Sequence, residues 1–130
     1  MWKPLEGKRV FLSGPMSSDA HNNVTKFIDA HAVLNRLGAL VVYDPACEWV
    51  EEIAHGSFEA RGHDYYMRRC VRELSRSIDP DGQAPYYDLL VQLDGWRDSR
   101  GAKTEKEVAE ACGVAVVEFQ SLPDVIGGQL

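Results

Sequence analysis

No apolar run in this chain approaches the roughly 18 residues that a membrane-crossing helix needs. Its first residues, Met1-Trp2-Lys3-Pro4-Leu5-Glu6, lack the apolar stretch of a signal peptide. Positive charge is also scarce: 14 Lys and Arg stand against 20 Asp and Glu, a net charge of −6. No global positive field exists to gather a polyanion, which excludes a nucleic acid polymer as the expected main partner. A small anion remains accessible, because a few local donors can hold one phosphate at any total charge. Cysteine is limited to Cys47, Cys70 and Cys112, an odd number without CxxC spacing. A reducing, cytoplasmic setting is therefore expected, with no membrane partner. The four histidines, His21, His31, His55 and His63, share no metal-ligand spacing with the cysteines, so neither a metal nor a cofactor is expected. GxGxxG, GxxxxGK[ST] and GxSxG are all missing, and with them any support for dinucleotide, P-loop or serine-hydrolase chemistry.

What is present is average for a compact globule. The chain has 130 residues, of which 45% are apolar and 26% charged, enough for one domain over 1–130 with its own core. Residues 8–14 form a β-rich run ending in the turn Ser13-Gly14-Pro15. Phe27, Ala30, Val33, Leu34 and Leu37 recur at helical spacing over 24–37, with Gly38 as C-cap. Residues 39–43 form an unalternating apolar run stopped by Asp44-Pro45, the pattern of a strand covered on both faces. A short helix is expected over 48–54 and an amphipathic one over 64–77. The latter carries Tyr66, Met67, Cys70, Val71 and Leu74 on its apolar face, where Cys70 reads as a core residue. Turn chemistry fills 78–86. A strand over 87–93, a helix over 103–112 and a strand over 114–119 follow, and residues beyond Ser121 read as a surface tail.

Strands alternating with helices imply right-handed crossovers. The expected fold is α/β, a doubly wound, mostly parallel sheet of four to five strands with helices on both faces, flavodoxin-like or Rossmann-like. Such sheets bind ligands beyond the carboxyl ends of their strands. Attention moves to the loops at 13–22, 44–48 and 94–104.

Glu105 is the most informative residue there. Ala102, Glu105, Val108, Ala109 and Cys112 share the inward stripe of their helix, whereas Lys103, Lys106, Glu107 and Glu110 share the wet side. An inward carboxylate costs desolvation energy unless something holds it, and the free N–H groups of a first helical turn are the expected holders. An ionised acid at the mouth of a crevice suits a nucleophile or a cation stabiliser; alternatively, Glu105 tops the core and complements the helix dipole. In the preceding loop, Asp94 to Gly101, backbone N–H groups with Ser99 and Arg100 suit phosphate or sugar oxygens. Equally, Asp98, Ser99 or Thr104 caps the helix, with Thr104-x-x-Glu107 fitting a capping box. In Ser13-Gly14-Pro15-Met16, Gly14 allows close backbone approach by a ligand or simply makes a turn.

Four segments taken together, VFLSGPM (10–16), VVYDPA (41–46), YMRR (66–69) and LDGWRDSRGAKTEKEVAEACGV (93–114), resemble the nucleoside 2-deoxyribosyltransferase-like family. The likeness is to a small bacterial and phage branch of unassigned function related to nucleotide N-glycosidases. Its most specific part is Ser99-x-Gly101-x-x-x-Glu105-x-x-x-Ala109. The resemblance implies cleavage of an N-glycosidic bond, or deoxyribosyl transfer, on a small nucleoside or nucleotide, with Glu105 as nucleophile. It places Ser13, Gly14, Pro15, Met16, Asp94, Ser99 and Gly101 around the substrate. Ser99 matches a serine that touches the 5′-phosphate in nucleotide-hydrolysing members, which favours hydrolysis of a nucleoside 5′-monophosphate. A homodimer or larger homo-oligomer is implied as well. The chain departs from the pattern at Cys70, where relatives often carry aspartate; Asp64, Asp94 and Asp98 are alternative acids. A non-catalytic nucleotide-binding or sensing module with the same pocket is the competing expectation.

Overall fold

The computed structural model describes residues 3–16, 20–48 and 62–122. Their order is β1 (Arg9–Ser13), α1 (Ala20–Arg36), β2 (Val41–Tyr43), α2 (Pro45–Glu48), α3 (Gly62–Leu74), β3 (Leu89–Gln92), α4 (Arg100–Ala111) and β4 (Ala115–Glu118). The strands form one sheet in the order β2-β1-β3-β4, every pairing parallel. This is the expected doubly wound α/β fold. The first crossover leads outward from β1 to β2, whereas the next returns to the other side of β1, so the order reverses between β1 and β3. At such a switch point the loops after the two strands diverge and leave a crevice.

The pleat of β1 explains how both faces are covered. Val10 and Leu12 point to one face, packing with Val91 and Leu93 under Phe27, Ala30 and Leu34 of α1 and Leu37 just after it. Phe11 points to the other and packs with Leu90, Tyr66, Cys70 and Leu74 of α3 and Ala109 of α4. Successive strand residues alternate in direction, so Ser13 falls on the α3/α4 face at the carboxyl edge.

Helix ends follow local chemistry. Gly38, at φ 97°, closes α1 with Ala39 N–H donating to Leu34 O at 3.1 Å, a Schellman ending. Asp44 caps α2, accepting the Ala46 N–H at 2.9 Å, with Pro45 at the first helical position.

β2 is an edge strand and half-buried throughout, yet Val42 packs on the α1-side core and Val41 and Tyr43 on the α3-side core, so its apolar run is covered on both faces as expected and is open only along its unpaired edge. A short helix, Pro45–Glu48, stands directly after β2 because Asp44 supplies the cap; the short helix expected over 48–54 lies, beyond Glu48, outside the described residues. The surface tail is corrected at Leu122, which is buried beside Leu5 in the α1-side core; residues 123–130 lie outside the described residues. Among the described residues no helix is long and apolar enough to cross a membrane.

Candidate functional site

The carboxyl edge brings together two loops that the sequence singled out separately. After β1, Gly14 is buried against Leu93, and a Cβ at Gly14 would lie 3.0 Å from Leu93 Cβ. Pro15 faces Gly95 of the β3–α4 turn, where an added Cβ would lie 3.3 Å from Pro15 Cγ. Met16 bridges the apolar clusters of both faces. The loops after β1 and β3 are thus in contact at the point where the sheet order reverses.

Glu105 enters this place from α4. It is 6% exposed, and Ser13 Oγ donates to its Oε1 at 2.6 Å. The thiol of Cys70, from α3, lies beside the same carboxyl group and influences its titration. Three elements that meet only in the folded chain therefore converge on one acid. The expected holder is corrected: α4 starts at Arg100, so Glu105 is its sixth residue and lies beyond the free N–H groups of the first turn. The Ser13 hydroxyl holds it instead, with the Cys70 thiol alongside. This hold does not cancel burial, which pushes Glu105 up from 4.5 to about 7 against the lowering effect of Ser13 and Cys70. The expectation of a fully ionised acid gives way to one divided between its two forms at neutral pH. Burial and the neighbouring Glu105 push the Cys70 thiol far above its ordinary range. Cys70 is 4% exposed and belongs to the α3-side core.

Ser99 ends the β3–α4 turn and caps α4, its Oγ accepting the Ala102 N–H at 3.2 Å. The capping box expected at Thr104 is absent, since Thr104 lies inside the helix and donates to Arg100 O at 3.0 Å. Gly101 allows α4 to approach α3; a Cβ there would meet Met67 Sδ at 3.2 Å and His63 Cε1 at 3.6 Å. Asp94 is exposed at the rim just beyond β3, and Asp98 is exposed in the same turn. Asp64 lies on the exposed side of α3, where Arg68 at 3.2 Å lowers its pKa, so it is set apart from Glu105 and kept ionised.

Two buried carboxamides were not singled out from the sequence. Asn23 continues the Phe27 stripe toward the carboxyl edge and is 3% exposed; Gln92 ends β3 and is 2% exposed. Each has an amide nitrogen without a partner among the described residues. The available signal was position: each is a polar residue on an otherwise inward stripe at the sheet's carboxyl edge.

Fold and site together define a doubly wound α/β protein with a buried, hydrogen-bonded glutamate at the switch point. The model of one family, described as a domain of unknown function (DUF4406), matches residues 8–118, and the chain belongs to that family. No curated protein and no solved structure matches the chain.

Proposed function

We propose that the protein cleaves the N-glycosidic bond of a small nucleotide, with Glu105 as nucleophile and water as the favoured acceptor. The observation that carries this reading is the Glu105 carboxyl group, held by Ser13 Oγ at 2.6 Å at the point where the sheet order reverses. In the first step a carboxylate oxygen bonds to the anomeric carbon. The carbon–nitrogen bond breaks, its electron pair leaves with the base, and the base takes up a proton from water or an acid at the rim. Positive charge develops on the sugar in between, and an adjacent carboxylate stabilises it. In the second step water adds to the anomeric carbon, gives up a proton and frees Glu105. Deoxyribosyl transfer differs only in that a second base takes the place of water.

Ser13 has two tasks in this scheme. Its hydroxyl orients Glu105, and its hydrogen bond favours the ionised form that attack requires. Ser99 and the first N–H groups of α4 suit the 5′-phosphate, since a helix start offers unpaired donors and a positive dipole end. Gly14, Pro15 and Met16 form the wall on the β1 side, and Asp94 and Gly101 border the opposite one.

A second reading is favoured by Cys70. A thiol held fully protonated beside Glu105 supplies no acid for the leaving base, which suits a module that binds a nucleotide without turnover. Incubation with a panel of deoxynucleoside 5′-monophosphates, following free base, separates the two readings. The catalytic reading expects base release by the native protein and a loss of about a hundredfold or more in Glu105→Ala. Nucleotide binding without base release would replace it with the binding module.

A further inference from the structure

α3 and α4 run side by side, because each precedes a strand of the same parallel sheet and so descends from its carboxyl edge. On α3 the seam between them carries His63, Met67 and Cys70, at spacings of four and three; on α4 it carries Gly101 and Glu105, four apart. At the upper end Gly101 has no side chain. Around the place a Cβ would take, Met67 Sδ at 3.2 Å, His63 Cε1 at 3.6 Å and Ser99 Oγ at 4.0 Å come together. At the lower end Cys70 lies beside Glu105.

Solvent access changes along the seam. Cys70 and Glu105 are buried, whereas His63 is exposed. The adjacent Asp64 is paired with Arg68, and no hydrogen bond engages the His63 ring among the described residues. Four residues at 1.5 Å each put Glu105 about 6 Å along α4 from Gly101, and helical side chains slant toward the N-terminal end, which carries its carboxyl group toward the imidazole. Retaining glycosidases hold nucleophile and acid about 5–5.5 Å apart. An imidazole gives and takes a proton at neutral pH; the Cys70 thiol, kept protonated by burial and by Glu105, does not.

We infer that His63 is the acid–base partner of Glu105, supplying from the exposed end of α3 the proton transfer that Cys70 cannot. This rests on the N-glycosidic reading of Glu105 and completes its two steps. As the carbon–nitrogen bond breaks, its electron pair moves to the base, and the imidazolium gives the base its proton. In the second step the neutral imidazole takes a proton from water as the water oxygen bonds to the anomeric carbon. The bond to Glu105 breaks, and its electron pair returns to the carboxylate. Water is the only co-reactant.

Single-turnover kinetics on two kinds of substrate test the inference. Deoxynucleoside 5′-monophosphates lose a base that needs a proton, whereas 4-nitrophenyl 2-deoxyriboside 5-phosphate loses a nitrophenolate that needs none. His63→Asn is expected to slow base release about a hundredfold and nitrophenolate release less than about threefold, with half-saturation within about twofold of native. His63→Gln should behave alike, and both are expected to unfold at the native midpoint because position 63 is exposed. Undiminished base release in either variant overturns the inference while leaving the role of Glu105 intact. So does an equal loss on both substrates, as a displaced helix would give, or a loss confined to half-saturation, as a phosphate contact would give. No base release by the native protein overturns this inference together with the N-glycosidic reading, so the two failures are told apart.

Discussion

At Glu105 the same proton sets stability and reactivity against each other. The unfolded chain titrates this acid near 4.5 and the folded chain near 7, so between these values the folded state holds a proton that the unfolded state has lost. The resulting stabilisation is complete below about pH 4.5 and is lost as pH rises through about 7, amounting to about 3 kcal/mol. Urea unfolding at pH 5 and pH 8 is expected to show this loss in the native protein and to show it removed in Glu105→Gln, which should be the more stable of the two at pH 8. Base release is expected to run the other way, with kcat/KM rising through about pH 7 as the nucleophile ionises. A flat stability difference between the variants across that range would contradict the burial of this charge. The inward position of Glu105 was legible from its three-and-four spacing with Ala102 and Ala109. Its partners were not, because Ser13 lies 92 residues away in sequence and only the crossover topology brings the two together.

Among the elements, α4 carries the sharpest contrast. Ser99→Ala removes the side chain that accepts the Ala102 N–H and is expected to cost about 1 kcal/mol of unfolding free energy. Thr104→Ala, at an exposed position inside the helix, is expected to change it by less than about 0.5 kcal/mol. Thr104-x-x-Glu107 matched a capping pattern, but Ser99 had already begun the helix; short-range motifs overlap, and the turn geometry chooses among them. Two glycines separate in the same way. At Gly14 the obstruction is Leu93 Cβ, fixed to the main chain just past β3, so Gly14→Ala is expected to destabilise by about 1–3 kcal/mol. At Gly101 it is the sulfur of Met67, which can move aside. Gly101→Ala should therefore be close to neutral, helped by a helix propensity gain of up to about 1 kcal/mol. Chemical denaturation of the four variants checks both pairs. The sequence marked the two glycines alike, because a missing side chain does not say what would have met it.

Across the whole molecule, central β1 joins the two cores, with Phe11 and Leu12 inaccessible on opposite faces. Phe11→Ala is expected to cost about 3–5 kcal/mol, whereas Leu40→Ala, at a residue 60% exposed, should change stability by less than about 0.5 kcal/mol. Thermal unfolding distinguishes them. The alternation of helix and strand patterns made the parallel, doubly wound class legible, and the apolar runs located each strand. Edge and centre were less legible: Val41-Val42-Tyr43 is as apolar as a central strand, and only pairing shows that one of its sides is unflanked. The switch point followed from the fold class, and Glu105 meets Ser13 there. The central claim, that this acid forms a bond to a sugar, is tested most directly by mass spectrometry of the intact protein after incubation with a 2′-fluoro-2′-deoxynucleoside 5′-monophosphate, whose electron-poor sugar slows breakdown of the intermediate. A covalent sugar-phosphate adduct on Glu105, absent in Glu105→Ala, is the predicted result; base release with no adduct, or with the adduct on another residue, would contradict it.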